Sequence, residues 1–198
     1  MAKLKFYYGV MGSGKTTELI KTYEIYKRKD LSPVVIKPMI DDREGSQSGW
    51  GTTSSRLIKQ SIPAYYFKTV QDEIWKLDYG VILVDEAQFM SREDIIYLTS
   101  IVEKQKIDVI AYGLKTDVNG NLFKGAADLL VFADETKELE SLCDIPNCQN
   151  KAAFHLRYVN GELDKSKESV AIEKDNITYK SVCRQHWLEE LRKENGNR

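Results

Sequence analysis

The sequence predicts an α/β fold: a parallel sheet flanked by helices, followed by a small C-terminal lobe. Three observations predict it. Short apolar runs alternate with helical patterns through most of the chain, and a glycine-rich turn joins the first run to the first helix. After about Glu140, charged and turn residues take over. The expected division is therefore an α/β unit over 1–140 and a lobe over 141–198.

Each element has its own justification. Leu4 to Tyr8 reads as a buried strand. From Thr17 to Arg28, the residues Leu19, Ile20, Tyr23 and Ile25 keep rough helical spacing, and the basic cluster Lys27-Arg28-Lys29 suits a helix C-terminus. Pro33 to Ile36, Val81 to Val84 and Val109 to Tyr112 are further apolar strands, and 92–104 reads as a helix. Asp42 to Ser55, rich in Gly, Ser and Thr, reads as a mobile loop at the C-terminal end of the second strand, where ligands of open α/β sheets bind. In the lobe, Asn160-Gly161 marks a tight hairpin, Trp187 to Glu194 a helix, and Asn195 to Arg198 a fraying end.

Composition narrows the function classes. Of 198 residues, 42% are hydrophobic and 30% charged, ordinary for a soluble chain with a proper core. A net charge of −1 lacks the basic footprint of a nucleic-acid binder. Met1-Ala2-Lys3 runs straight into the first strand without a visible signal peptide, and no apolar run reaches the roughly eighteen residues of a membrane span. Three cysteines, an odd number, argue against a disulfide framework. A cytoplasmic protein acting on a small substrate is the expectation.

Gly9-Val10-Met11-Gly12-Ser13-Gly14-Lys15-Thr16 fits the phosphate-loop pattern G-x-x-x-x-G-K-[ST] at every fixed position. It lies between a strand and a helix start, the context its mechanism needs. Glycines let successive backbone N–H groups turn inward, and the helix N-terminus adds positive potential. Lys15 would reach the β- and γ-phosphates of ATP, and the Thr16 hydroxyl would ligate Mg2+. The fold expected is thus P-loop NTPase-like. Val81 to Val84 ends in Asp85-Glu86, the usual companion of such a loop: Asp85 would serve magnesium, while Glu86 could take a proton from an attacking hydroxyl. A second carboxylate also suits ATPases, so this pair alone does not separate kinase from ATPase.

Cys143-x4-Cys148 and Cys183-x2-His186 are two ligand pairs with spacings found in structural Zn2+ sites. They take all three cysteines and one of two histidines, and they would close a tetrahedron with no open catalytic position. The competing reading is three ordinary thiols and a solvated histidine. His155, in the alternating stretch Phe154 to Val159, reads as a strand residue. With few apolar residues of its own, the lobe would draw much of its folding energy from the metal.

Five segments carry a family resemblance: Gly9 to Thr16 with Thr17-Glu18-Leu19; Asp41-Asp42-Arg43; Asp85-Glu86-Ala87-Gln88-Phe89; Tyr112-Gly113-Leu114-Lys115-Thr116-Asp117; and Tyr179-Lys180-Ser181-Val182-Cys183-Arg184. In this order, with the cysteine pairs, the chain resembles the zinc-containing cytosolic type of thymidine kinase over nearly its whole length. ATPases and recombinases share only the first and third segments. The resemblance implies transfer of the ATP γ-phosphoryl group to the 5′-hydroxyl of thymidine or deoxyuridine, with Glu86 as base. It implies that Asp85 to Gln88 line the nucleotide site, that Asp41 and Arg43 organise the phosphate region, and that Phe89 packs on the nucleoside. A lasso loop within Gly161 to Tyr179 would close over the base, with Val170, Ala171, Ile172, Glu173, Lys174 and Tyr179 at contact positions. A homotetramer and inhibition by the triphosphate end product are also implied.

The chain departs from the family pattern at several places. Val118 stands where an aromatic usually follows the Thr-Asp pair, Glu173-Lys174 replaces a glycine pair in the lasso, and Gly12 replaces an aromatic. The spacing from Cys143 to Cys148 is longer than usual. None of these touches Lys15, Asp85 or Glu86. They motivate a second reading, a nucleotide-sensing or ATPase homologue without nucleoside kinase turnover.

Overall fold

A computed structural model of the chain describes residues 1–39, 48–164, 166 and 176–195. A seven-stranded sheet holds β1 (Leu4–Tyr8), β2 (Pro33–Pro38), β3 (Gly49–Ser55), β4 (Gln60–Phe67), β5 (Val81–Val84), β6 (Asp108–Gly113) and β7 (Glu135–Glu138) in the order β3-β4-β2-β5-β6-β1-β7. Every neighbouring pair is parallel except β3–β4 at one edge, which is antiparallel. Helices α1 (Lys15–Lys27), α2 (Val70–Glu73), α3 (Arg92–Gln105) and α4 (Lys124–Phe132) lie between the strands in sequence.

The sheet is buried on both faces, as parallel sheets require. In β5, Ile82 and Val84 join Phe6, Val109, Leu98 and Leu129 on one face, while Val81 and Leu83 join Leu19, Ile20, Ile110 and Tyr112 on the other. This period-two division explains why Val81 to Val84 is apolar without interruption. Helix α3 starts at an N-cap: the Ser91 side chain accepts from the Asp94 N–H.

A second sheet of three strands, β8 (Phe154–Val159), β9 (Glu162–Leu163) and β10 (Ile177–Val182), lies toward the C-terminus in the order β10-β8-β9 and is followed by α5 (Arg184–Asn195). Asn160 and Gly161 both take positive φ, 53° and 83°, and Val159 pairs with Glu162 across them. That is the expected tight hairpin.

The reading of Asp42 to Ser55 as one loop needs correction. Residues 49–55 form β3, paired along its length with β4. Thr53 and Ser55 are buried, and the Ser55 and Thr17 hydroxyls share a hydrogen bond of 2.7 Å. Small polar residues were read as loop residues because their partners, buried Asp85 and half-buried Thr17, are distant in sequence. Residues 40–47 lie outside the described residues. Strands β4 and β7 went unread, and the last helix begins three residues earlier than expected, at Arg184.

Candidate active site and metal centre

Parallel strands end at one edge of their sheet, so β1 and β5 deliver their C-terminal residues to the same rim. One strand, β6, lies between them, setting the two chain ends about 10 Å apart. The rim therefore gathers Gly9–Thr16 from β1 and Asp85–Glu86 from β5.

The loop turns through Gly12 and Gly14, at φ 75° and 81°, a region that glycine enters without a Cβ penalty. The Gly9 N–H donates to the Gly113 carbonyl at 3.3 Å, and the Ser13 N–H to the Val10 carbonyl at 3.2 Å. Lys15 Nζ turns back into the loop, donating to the Val10 carbonyl at 2.7 Å and more weakly to that of Gly9 at 3.4 Å. Burial pushes the Lys15 ammonium down to about 8, opposed by the charges of Glu86 and Asp85. The Ser13 hydroxyl is buried and has no hydrogen-bond partner among the described residues. A buried cation and an orphaned donor inside a glycine turn form a site in want of an anion. Thr16, half-buried, lies in the first turn of α1.

Asp85 is buried, with a Thr53 hydroxyl donating to its Oδ2 and Lys37 Nζ 3.8 Å from the same oxygen. Burial, and then the adjacent Glu86 charge, push the Asp85 carboxyl up; Lys37 and Thr53 pull it the other way. Sequence reasoning missed Lys37 and Thr53 because neither belongs to a motif. Glu86 sits in the left-handed region at φ 53° and opens a short 3-10 turn, Ala87–Phe89. Gln88 spans the gap to β6: its Nε2 donates to Glu86 Oε2 at 2.7 Å, and its Oε1 accepts from the Leu114 N–H at 3.0 Å. A Cβ on Gly113 would lie 2.8 Å from Gln88 Oε1, so glycine leaves room for that bridge. Gln88, expected to line the nucleotide site, thereby links Glu86 to the backbone after β6.

Phe89 is half-buried and meets Phe123 edge-on at 5.6 Å. The Val118 carbonyl accepts from the Trp187 indole at 3.4 Å, and Trp187 stacks on Phe154 at 4.5 Å. Tyr179 lies on β10 opposite Arg157 of β8. Asp41, Arg43, Val170, Ala171, Ile172, Glu173 and Lys174 fall outside the described residues.

The ligand atoms of Cys143, Cys148, Cys183 and His186 all lie within 4.8 Å of one another. His186 Nδ1 is 3.4 Å from Cys143 Sγ and 3.3 Å from Cys183 Sγ, while the Cys148 and Cys183 sulfurs are 4.0 Å apart. A zinc ion with sulfurs at about 2.3 Å would separate them by about 3.8 Å, so the tetrahedron fits. Burial would raise the Cys183 thiol, but the His186 backbone N–H, Cys148, Asn150 and Cys143 outweigh it and hold it down at about 7. Thiolate is the form that binds metal.

His155 occupies β8 as expected, but it faces the phosphate loop. Its Nε2 accepts from the Met11 N–H at 2.9 Å, and its ring also hydrogen-bonds the Thr116 backbone. Burial, and then the Lys15 charge, hold the imidazole down at about 4, so it is neutral at pH 7. No motif carries this residue, and only the folded chain gives it a role.

The profile of the family described as thymidine kinase matches residues 2–187. Thymidine kinase of Haemophilus influenzae (strain 86-028NP) is 38% identical, covering 96% of this chain and 97% of its own. Thymidine kinase of Vibrio vulnificus (strain CMCP6) is 39% identical, over 98% and 100%. Thymidine kinase of Legionella pneumophila (strain Lens) is 37% identical, over 94% and 90%. Among the described residues, no helix is long and apolar enough to cross a membrane.

Proposed function

Because the chain belongs to the thymidine kinase family, we propose that it transfers the γ-phosphoryl group of ATP to the 5′-hydroxyl of thymidine or deoxyuridine. The product, dTMP or its deoxyuridine counterpart, would enter DNA-precursor salvage. Similarity over almost the whole chain disfavours the sensor and ATPase readings.

The observation that carries the mechanism is Glu86, set in the left-handed region by the end of β5 and tied by Gln88 to the strand beside the phosphate loop. In this reading Glu86 accepts the proton of the 5′-hydroxyl as that oxygen attacks phosphorus, help typically worth about 10²–10⁴-fold. Lys15 exchanges its two carbonyl partners for phosphate oxygens, and the loop N–H groups and the Ser13 hydroxyl take the rest. Thr16 and Asp85 would offer the hard oxygens that magnesium prefers. When bound, magnesium neutralises charge on the transferring phosphates. Phe89, Val118, Tyr179 and the stretch 170–174 would hold the nucleoside. The four-ligand cluster would hold structural zinc. Residues 1–140 form the ATP-binding unit in this reading and 141–198 the metal lobe. The assembly would be a cytoplasmic homotetramer with no nucleic-acid partner.

The test is ATP-dependent phosphorylation of thymidine, deoxyuridine, deoxycytidine and the purine deoxynucleosides with magnesium. Activity confined to the first two is expected; transfer to none of them, with ATP still bound, overturns the proposal.

A further inference from the structure

We propose that His155 and Ser181 form a two-pronged fork that positions the phosphate loop for ATP by gripping the Met11 residue from both sides. The two residues are direct cross-strand partners in β8 and β10, so their side chains emerge on the same face of the small sheet. His155 Nε2 takes the Met11 N–H at 2.9 Å, and the Ser181 hydroxyl donates to the Met11 carbonyl at 2.7 Å. Both polar groups of one residue in the loop are thus fixed by a sheet more than a hundred residues away in sequence.

The fork is itself anchored. His155 also bonds the Thr116 backbone, three residues past the end of β6, which leaves Nε2 free to accept and puts the ring proton on Nδ1. The turn after Thr116 is stiff, since Asp117 Oδ1 accepts from the Asn119 and Asn121 N–H groups, each at 2.9 Å. Ser181 is held from behind: its N–H donates to Asp144 Oδ2 at 2.6 Å, and its carbonyl accepts from the Asp144 N–H at 2.8 Å. Asp144 follows the metal ligand Cys143 directly. Burial and the nearby Lys15 charge keep the imidazole neutral, the form that can accept from an N–H.

The consequence is preorganisation. The phosphate loop must hold Gly12 and Gly14 at positive φ before phosphate arrives, and glycines are the residues with most freedom to leave that state. Fixing Met11 next to Gly12 removes much of that freedom in advance, so less ordering is charged against ATP binding. The fork touches neither phosphate nor nucleoside. It is a positioning device, and it should set ATP affinity without touching the transfer step.

This inference rests on the reading of Gly9–Thr16 as the ATP site, and the experiment separates the two. ATP and thymidine binding are measured by calorimetry on wild type, His155→Leu, His155→Gln and Ser181→Ala, together with kcat and KM for both substrates and zinc content. The expected result for His155→Leu is an ATP Kd raised about tenfold, the scale of one buried hydrogen bond, with kcat at saturation and thymidine affinity unchanged. Gln carries an acceptor at the reach of Nε2, so His155→Gln should recover most of the affinity. Ser181→Ala should weaken ATP in the same direction. If His155→Leu fails to fold, Ser181→Ala and His155→Gln still decide the matter. Unchanged ATP affinity in the soluble variants, whatever their melting temperatures, overturns the fork. A wild-type protein that fails to bind ATP overturns instead the reading of the loop.

Discussion

In the large sheet, β5 buries all four of its residues, whereas β10 of the small sheet alternates half-buried and exposed positions until Ser181 and Val182. The contrast continues in the cores. Those of the large sheet draw on strands and helices throughout the first 130 residues. The buried core of the lobe is Cys143, Leu156, Val182 and Cys183, and two of these four belong to the cluster that could hold a metal ion. One region is held by apolar burial and carries its chemistry on an edge. The other has little apolar area of its own, and on the proposed reading it relies on a metal held by four side chains and on a few directed hydrogen bonds. On that reading the first should stay folded on losing a rim residue, whereas the second should not survive the loss of a ligand.

The sharpest way to break this comparison is to remove the metal. Structural zinc supplies about 10–16 kcal/mol of apparent binding energy in small metal-folded units. Chelation, or Cys183→Ser, should therefore abolish hydrogen-exchange protection in β8, β10 and α5 while β1, β5 and β6 keep theirs. Protection that persists in the lobe after zinc is gone would contradict the account.

Next in size is Glu86→Gln, which removes a proton acceptor but no buried contact. Turnover should fall by about 10²–10⁴-fold, with the melting temperature and ATP affinity close to wild type. A variant with normal turnover would strip Glu86 of its assigned role.

The third effect is a pH dependence. His155 is held at about 4 in the folded chain, below the ordinary 6.5 of an unfolded histidine. A depressed folded value means that the unfolded chain binds the extra proton between these limits. The stabilisation is therefore complete above pH 6.5 and is lost as pH falls toward 4. Over that window it amounts to about 3 kcal/mol. Urea midpoints of wild type minus His155→Gln, measured at pH 7.5 and 5, should reveal a slope present only in wild type.

The smallest expected effect is that of Gly113→Ala. Its Cβ would press on Gln88 Oε1 at 2.8 Å and on the Gln88 N at 3.0 Å. We expect a cost of about 1–3 kcal/mol from overpacking, read as a lowered melting temperature. Because Gln88 orients Glu86, kcat should fall more than KM for ATP changes.

Much of the large sheet is legible in the sequence because its signals are local. Leu4–Tyr8 and Val81–Val84 are apolar runs bounded by turns, and the loop and Asp85-Glu86 sit at their ends. The cluster of three cysteines and a histidine is legible for a similar reason, since Cys143-Cys148 and Cys183-His186 are each close in sequence. Strand β3 was hidden because Thr53 and Ser55 are polar and find their hydrogen-bond partners at Asp85 and Thr17. His155 was hidden for the same kind of reason: its meaning lies in a hydrogen bond to Met11, 144 residues away. Gln88 is legible as part of a motif, but its bridge from Glu86 to Leu114 depends on where β6 ends. What escapes a linear reading is polar pairing across the fold, which leaves no periodicity.

The fork also sets an order on biosynthesis. Residues 9–16 leave the ribosome well before Ser181, which grips Met11 and lies 170 residues further on. At roughly 5–20 residues per second, the loop waits some 10–30 s for its second prong. Until then a nascent chain carries the whole phosphate-loop sequence without the grip that shapes it. A ribosome-stalled chain ending before β8 should thus bind ATP poorly, however well its large sheet has folded.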